Sequence, residues 1–339
     1  MTRVSLTTLC LLCAAGVTGV AEAHHSRAFY DMTKEIVVEG TVTDLEWKNP
    51  HISMTVRTQG ADGSPRLQEI ELMAVSEARA MGLDREAIAA GSDVVVRAHP
   101  GRGGPGARAI GVDVRTTDGR LLPLNTDAGF AIAPPDAAEA QGLQGRWAPS
   151  VDDFNAAAQA MRQWPYTDAA RASMRAAQST RSAVLGICRD FPPPGLSIFP
   201  DLREISIDDS TVEIRFEAQG QNIVRVVHLD QASHPANLSP SLLGHSIGHF
   251  EQQTLVIDTV GFESFPAGIT IGVASSPGKH LVEKLTPTPD RRHLRYEVTL
   301  EDSASLTAPA TFSVLWAYRP DLEPSGMACD PDAARKVLQ

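Results

Sequence analysis

The feature that most constrains the fold is a series of eight short runs in the second half of the chain, most of which alternate between apolar and polar residues. Alternation with a period of two is typical of β-strands that have one buried face and one solvated face. The runs are Glu204–Ile207, Thr211–Glu217, Ile223–Leu229, Leu243–Phe250, Thr254–Val260, His280–Thr286, Arg292–Leu300 and Ala310–Tyr318. Their short spacing favours an up-and-down, lipocalin-like antiparallel β-barrel that holds one small ligand. A two-sheet sandwich is the alternative fold.

The first half of the chain predicts a separate and smaller β-domain. Five strand-like runs surround one helix, which begins at Ser76 and ends at Gly91. The runs are Glu35–Trp47, His51–Gln59, Arg66–Val75, Asp93–Ala98 and Ala109–Arg115. Three strands, a helix and two further strands follow the order of an OB-type barrel. We therefore expect a mainly β protein whose first domain is an OB-type barrel over residues 24–115.

The segment after this domain has the composition of a linker, with Pro134-Pro135 and alanine-rich polar sequence over residues 116–145. The second predicted domain covers residues 146–339 and begins with two short alanine-rich helices, about Asp152–Gln163 and Thr167–Ala177. Their apolar stripes are weak, so we expect these helices to cover the barrel rather than to form a core of their own.

The amino terminus has the pattern of an export signal. Arg3 supplies a positive charge, residues 4–20 are apolar, and Ala21-Glu22-Ala23 fits a cleavage site. We predict a signal peptide over residues 1–23 and a mature protein, with no membrane span, in the periplasm or outside the cell. The formal net charge of −11 argues against a nucleic-acid partner, because no excess of cations is available to neutralise phosphates. The oligomeric state stays open.

Cysteine usage agrees with export. Removal of the signal peptide discards Cys10 and Cys13 and leaves Cys188 and Cys329. Two cysteines in an exported chain most simply form one disulfide, and we predict that these two are bonded. Two free buried thiols are the alternative.

Histidines and carboxylates occur inside the predicted barrel strands. His245, Asp258 and Glu283 each share a strand face with aliphatic residues, so an inward aliphatic face would place all three in the barrel interior. A buried carboxylate–imidazole pair can transfer protons near neutral pH. We therefore predict these three residues as catalytic. In the alternative, the acids form structural ion pairs with arginine, and the candidates are Arg215, Arg225 and Arg295.

Four further residues of the second domain are predicted to contact the ligand: His249, His280, Phe262 and Trp316. With them, the barrel is expected to bind a small, largely apolar organic molecule. Proton transfer by the histidine and the carboxylates would make the protein an isomerase or a lyase that requires no cofactor.

The predicted mature terminus supports a second hypothesis. Cleavage after Ala23 would give His24 a free α-amine beside its own imidazole, and nitrogen ligands of this kind suit Cu(II). The arrangement resembles the histidine brace of copper proteins, including the lytic polysaccharide monooxygenases. His25 and His51 are the further candidate ligands for copper or zinc, and the alternative is a terminus with two solvated histidines. A third hypothesis is a non-enzymatic envelope interaction module.

Short motifs stand in both halves of the chain. They are His24-His25-Ser26, Val38-Glu39-Gly40-Thr41-Val42, Trp47 with Asn49-Pro50-His51, Gly244-His245-Ser246, Thr254-Leu255-Val256-Ile257-Asp258-Thr259 and His280-Leu281-Val282-Glu283. On these motifs the chain resembles an uncharacterised family of exported bacterial two-domain β-proteins. The resemblance implies the architecture and brings no activity with it. One departure lies at a hairpin turn, where the family has Trp-Glu-Gly-Asp-Thr and this chain has Phe250-Glu251-Gln252-Gln253-Thr254.

Overall fold

The first part of the chain folds into a small β-barrel. The computed structural model describes residues 29–60, 62–132, 138–180, 188, 191–218, 220–270 and 272–336. The elements of the first part are β1 (Ile36–Glu46), β2 (Ser53–Gln59), β3 (Pro65–Glu71), α1 (Val75–Ala80), β4 (Asp93–His99), β5 (Ala109–Thr116) and β6 (Leu121–Pro123). Three strands, a helix and two strands precede β6, which confirms the order predicted for an OB-type barrel.

Five strands of this sheet form the barrel. The hydrogen-bonded order is β3-β2-β1-β4-β5-β6, and a parallel pairing of Ile70 with Ala109 joins β3 to β5 and closes it. The alternating apolar residues meet inside, where Val56, Val96 and Val114 are fully buried. The sixth strand, β6, lies within the segment that the sequence predicted as a linker, and it extends the sheet beside β5.

The second part of the chain is a larger, closed β-barrel of nine strands. Its strands are β7 (Gly145–Pro149), β8 (Arg203–Ile207), β9 (Thr211–Ala218), β10 (Gln221–His228), β11 (His245–Glu251), β12 (Thr254–Val260), β13 (His280–Pro287), β14 (His293–Glu301) and β15 (Ala310–Tyr318). All eight predicted strands are present, and the barrel, not the sandwich, is the fold. The ninth strand, β7, closes the barrel between β15 and β8.

The strand number determines one unusual pairing. Around a closed barrel with an odd number of strands, neighbours cannot all be antiparallel. Here the exception is β10 with β11, which run parallel and pair Val227 with Ser246 and His228 with Ile247. The other eight pairings around the barrel are antiparallel. The connection between the two parallel strands is the loop of residues 229–244, hereafter the crossover loop.

Few and short helices accompany the barrels. The longer ones are α2 (Val151–Arg162) and α3 (Asp168–Thr180), and α4 (Pro331–Lys336) lies near the carboxyl end. The Ser150 hydroxyl accepts a hydrogen bond from the Asp153 backbone N–H and so caps the start of α2. The Asp153 carboxylate in turn accepts the Leu315 backbone N–H of β15 at 3.2 Å. These contacts hold α2 against the barrel wall, as predicted for a covering helix.

The two barrels meet at Asn49 and the disulfide. The Asn49 side chain is fully buried, accepts the Val75 backbone N–H at 3.0 Å and donates to the Met327 carbonyl at 2.8 Å. Cys329, two residues further on, is bonded to Cys188, with 5.7 Å between their Cα atoms. The predicted disulfide is therefore confirmed, and it closes a loop of the second barrel that ends beside Asn49. Within the ranges described, no helix has the length and apolar character needed to cross a membrane.

Candidate acid–base site

The faces of β11 run opposite to the prediction. Ser246 and Gly248 point into the barrel, and His245 points outward. The interior beside them is occupied by β10: the Arg225 Nε donates to Ser246 Oγ at 3.1 Å, and a Cβ on Gly248 would lie 2.7 Å from a Val227 methyl. Only small side chains fit at these inward positions. The aliphatic face that the sequence assigned to the interior is therefore the outer face.

The same inversion applies to β12 but not to β13. Asp258 points outward, where its cross-strand neighbours are Ile247 and Val282. Glu283 points inward and is fully buried. The prediction of one shared interior is therefore wrong for His245 and Asp258 and correct for Glu283. Both faces of β12 are apolar, because the outer face is also partly covered, so apolar content alone did not distinguish them.

Inside the barrel, Glu283 forms a buried ion pair. Its carboxylate accepts a hydrogen bond from Arg225 Nη1 at 2.8 Å, a second from Nη2, and one from the Tyr296 hydroxyl at 2.5 Å. Arg225 also donates to Thr259 Oγ1 at 2.7 Å. Burial alone would lower the pKa of Arg225, but the charge of Glu283 outweighs it and raises that pKa. This is the structural pairing that the sequence offered as the alternative role for Glu283.

Two of the predicted ligand-contacting residues are also buried. Trp316 stacks on Tyr296 with 4.7 Å between ring centroids, and its indole N–H donates to the Ser197 carbonyl at 3.2 Å. Phe262 lies beneath the Lys279 ammonium, whose nitrogen is 4.2 Å from the ring centroid. Desolvation lowers the pKa of Lys279 to about 7. Both aromatic rings are thus part of the packed barrel.

The outer wall carries a cluster of polar side chains that we call the imidazole cluster: His228, His234, His245, Asp258 and His280. Asp258 binds two imidazoles, with Oδ1 2.8 Å from His234 Nε2 and Oδ2 2.9 Å from His280 Nε2. The Nδ1 atoms of His234 and His245 are 2.9 Å apart. The His228 ring stacks on His245 with 5.1 Å between centroids. One continuous hydrogen-bonded chain therefore runs from His280 through Asp258 and His234 to His245.

Four elements supply these residues. His228 ends β10, His245 begins β11, Asp258 lies in β12, and His280 begins β13. His234 comes from the crossover loop and joins the others from above the wall. Sequence reasoning missed His228 and His234. The outward parity of His228 at the end of a predicted strand was an available indication, but His234 lies in a loop with no periodicity to place it.

The charges of the cluster favour a neutral His245 beside an ionised Asp258. Burial acts to raise the pKa of the Asp258 carboxyl, but the hydrogen bonds from His234 and His280 outweigh it and hold that pKa below its usual value. Desolvation lowers the pKa of His245, and the neighbouring His234 and His228 lower it further. Asp258 keeps 38% of its side chain exposed and His234 keeps 17%, so the cluster is accessible to a ligand from solvent.

The remaining predicted residues lie apart from this cluster. His249 is an exposed side chain near the hairpin turn, 3.4 Å from Glu251, so the structure does not bring it to the other histidines. His51 belongs to the first barrel, where its Nδ1 is 3.0 Å from the Leu72 carbonyl oxygen. His24 and His25 lie outside the described residues. Among the residues that the structure describes, no group of three or more histidine, cysteine or acidic side chains is arranged to hold a metal ion.

Fold and site together define a mainly β protein with two barrels and a histidine–carboxylate cluster on the outer wall of the second. A model for a family of unknown function (DUF6152) matches residues 11–109, which end at the first residue of β5. This match agrees with the resemblance to an uncharacterised family and assigns no activity. No curated protein and no solved structure matches the chain.

Proposed function

We propose that the protein binds a small, largely apolar organic molecule on the outer wall of the second barrel and transfers a proton at the imidazole cluster. The reaction would be of the isomerase or lyase type and would require no cofactor. The observation that carries the proposal is the chain of hydrogen bonds from Asp258 through His234 to His245. A carboxylate that orients one imidazole against a second is an arrangement suited to acid–base catalysis.

The proton inventory makes His245 the general base. His234 donates its Nε2–H to ionised Asp258, so the Nδ1 of neutral His234 accepts a hydrogen bond from His245 Nδ1–H. This tautomer leaves a lone pair on His245 Nε2. When Nε2 takes a proton from the ligand, the Nδ1 proton can move to His234, where the new positive charge lies next to the Asp258 carboxylate. The same path in reverse returns a proton to the product.

His280 is a positioning residue in this scheme. It occupies the second oxygen of Asp258 and so fixes the rotation of the carboxylate about its Cβ–Cγ bond. Glu301 lies 3.7 Å from the other ring nitrogen of His280 and favours the orientation in which Nε2 faces Asp258. A carboxylate held on both oxygens keeps His234 in one tautomer and one orientation.

The surroundings of the cluster fit an apolar ligand. The cross-strand neighbours of Asp258 are Ile247 and Val282, and that of His245 is Val260. These three aliphatic side chains face outward and are half-buried. A largely apolar molecule covering them would gain about 25 cal/mol for each Å² of apolar surface removed from water. The bound molecule would also exclude water from the cluster, which strengthens the hydrogen bonds there.

Two features of the chain support an exported location. The signal-like segment over residues 1–23 and the disulfide between Cys188 and Cys329 both suit an oxidising compartment. We propose the periplasm or the cell exterior as the location.

Proton exchange provides the test. The protein is incubated in D2O with a panel of small organic compounds that carry an acidic C–H bond, and NMR measures deuterium incorporation. Wild-type protein should accelerate exchange of at least one compound. The substitutions His245→Gln and Asp258→Asn should each lower that rate by a factor of about 10² or more. The matched control is His249→Gln, which alters an exposed histidine on the same strand and should keep the rate.

The pH profile tests the assignment of the base. The exchange rate should fall on acidification with a midpoint below the usual histidine value of about 6.5, because the pKa of His245 is lowered. Equal loss in all three variants would contradict the role of the cluster. Absence of exchange with every compound would favour the alternative of an envelope interaction module without enzymatic activity.

A specific contact keeps the copper or zinc alternative as a second candidate. The Tyr30 hydroxyl donates to Glu71 Oε2 at 2.5 Å, and the other oxygen of Glu71 is 3.8 Å from His51 Nδ1. The chain is therefore anchored beside His51 only six residues after His24, a span of about 20 Å when extended. Copper affinity should fall when one residue is added before His24 or when His51 is changed to Gln; equal affinity in all three proteins would exclude the site.

A further inference from the structure

The interior of the second barrel contains an arginine that has two donor nitrogens without an acceptor among the described residues. Arg203, at the start of β8, is fully buried. Its Nη2 donates to the Phe199 carbonyl at 2.8 Å, but Nε and Nη1 have no hydrogen-bond partner in the part of the chain that the structure describes. A buried guanidinium normally has its donors satisfied, because an unpaired buried charge is strongly unfavourable.

We propose that Arg203 is the recognition group of a second ligand site, which takes the carboxylate of an amphiphilic organic acid. The proposal rests on the contrast between the two arginines inside this barrel. Arg225 uses its donors on Glu283, Ser246 and Thr259. Arg203 has an aromatic environment instead, and a carboxylate would supply the acceptors that it lacks.

The acids near Arg203 do not hydrogen-bond its guanidinium in the part of the chain that the structure describes. Glu283 binds Arg225 and Tyr296. Asp201 is close enough for its charge to act on Arg203, but its carboxylate accepts a hydrogen bond from the Ser76 hydroxyl of α1. Neither acid hydrogen-bonds the guanidinium. We therefore assign the acceptor for Nε and Nη1 to a bound molecule.

The aromatic residues around Arg203 select the chemistry of that molecule. The guanidinium carbon lies 4.5 Å from the ring centroid of Trp316 and 5.7 Å from that of Phe216. Aromatic faces hold the cation in place without occupying its donors. The site therefore combines a fixed positive charge with apolar walls, which suits a carboxylate joined to an apolar body.

Three phenylalanines mark the side from which such an acid would enter. Phe199 precedes β8 and packs against Phe154 of α2 and Phe191, with centroids 5.6 and 5.7 Å apart. All three side chains are half-buried, whereas Arg203 is not exposed. The carboxylate of the acid binds Nε and Nη1, which leaves the hydrogen bond from Nη2 to the Phe199 backbone carbonyl in place, and its apolar chain packs against the three rings. A bare anion would lack this second contribution.

This site does not depend on the proposed acid–base function. Arg203 is inside the barrel near β15, and the imidazole cluster is on the outer wall over β10 to β13. Loss of one activity should leave the other unchanged. Asp258→Asn should therefore bind the acid as wild type does.

The test uses laurate as the probe, with dodecanol and acetate as comparators. Binding is measured by isothermal titration calorimetry and by the shift in Tm. Laurate should bind wild-type protein at least about tenfold more tightly than dodecanol, because a charge-assisted hydrogen bond is worth that factor or more. Acetate should bind weakly, because it lacks the apolar chain. Equal binding of laurate and dodecanol by wild-type protein, or binding of neither, would overturn the proposal without any variant.

Variants locate the site. Arg203→Met should reduce the preference for laurate over dodecanol to about one, and Arg203→Lys should keep part of it. Arg215→Gln removes an exposed arginine of β9 and should keep the full preference. Circular dichroism shows whether Arg203→Met is folded; if it is not, the comparison of Arg203→Lys with Arg215→Gln decides. If the Arg203 variants keep the full preference for laurate over dodecanol, the assignment of the site to Arg203 is wrong.

Discussion

The ion pair inside the second barrel gives the sharpest prediction about stability. Glu283→Leu removes a fully buried carboxylate that accepts two hydrogen bonds from Arg225 and one from Tyr296. The guanidinium keeps only its contacts with Ser246 and Thr259. The substitution thus leaves one uncompensated buried charge and deprives the tyrosine hydroxyl of its acceptor at 2.5 Å.

The expected magnitude follows from these two losses. Removing one partner of a buried ion pair costs about 3–5 kcal/mol. A buried hydroxyl without an acceptor costs about 1–3 kcal/mol more. The two terms overlap because Arg225 and Tyr296 bind the same carboxylate, so we expect Glu283→Leu to lower the free energy of unfolding by about 4–6 kcal/mol. This is a large part of the 5–15 kcal/mol, roughly, that stabilises a typical domain.

Urea unfolding followed by tryptophan fluorescence measures the effect, and a double-mutant cycle tests its cause. Arg225→Met alone should also be strongly destabilising, since it leaves the buried Glu283 carboxylate without its guanidinium partner. The double variant Arg225→Met/Glu283→Leu removes both charges and should be more stable than either single variant, within about 2 kcal/mol of wild type. If the double variant instead loses the sum of the two single effects, the two groups act independently and the reasoning is refuted.

Three further outcomes are expected. Gly248→Ala places a Cβ 2.7 Å from a valine methyl of β10 and should lower the free energy of unfolding in urea by about 1–3 kcal/mol. Gly278→Ala should be neutral, because its Cβ would lie 3.5 Å from the Ser276 hydroxyl. Reduction of the disulfide at Cys188, which spans 141 residues, should lower the free energy of unfolding by roughly 4–5 kcal/mol; an unchanged unfolding midpoint in reductant would contradict this. The ionised Asp258 has a pKa below its unfolded value, so its contribution is present above that unfolded value, about pH 4, and is lost as pH falls through the folded pKa. The stability difference between wild type and Asp258→Asn should therefore shrink on acidification.

Local pattern was sufficient for most of the strands. Alternation identified eight of the nine strands of the second barrel and all five strands of the first, because a half-buried strand imposes its period of two directly on the sequence. The missed strand β7 has five residues, Gly145–Pro149, and ends in a proline. A run this short carries too few residues to show a period, so the sequence identified its start only as the beginning of a domain.

The assignment of faces required information that a single strand does not contain. Leu243, His245 and Ile247 form the more apolar face of β11, and by composition this face belongs inside. The structure places it outside because Arg225 and Val227 of the neighbouring strand leave room only for Ser246 and Gly248. For Glu283 the same rule gave the correct face, since the outward residues of β13 other than Val282 are polar and the opposite face carries Leu281 and Leu285.

The missed strand and the missed histidine have one origin. Eight strands can close into a barrel in which every neighbour is antiparallel, so a chain interpreted that way needs no crossing connection between β10 and β11. A ninth strand makes the number odd and requires one parallel pair, which here is β10 with β11. The connection within a parallel pair cannot be a tight hairpin. It becomes the crossover loop, and that loop places His234 within 2.9 Å of both His245 and Asp258. The imidazole cluster is thus a consequence of how the barrel closes, and a sequence interpretation that recognises Gly145–Pro149 as a strand would also look for a loop residue above the wall at this position.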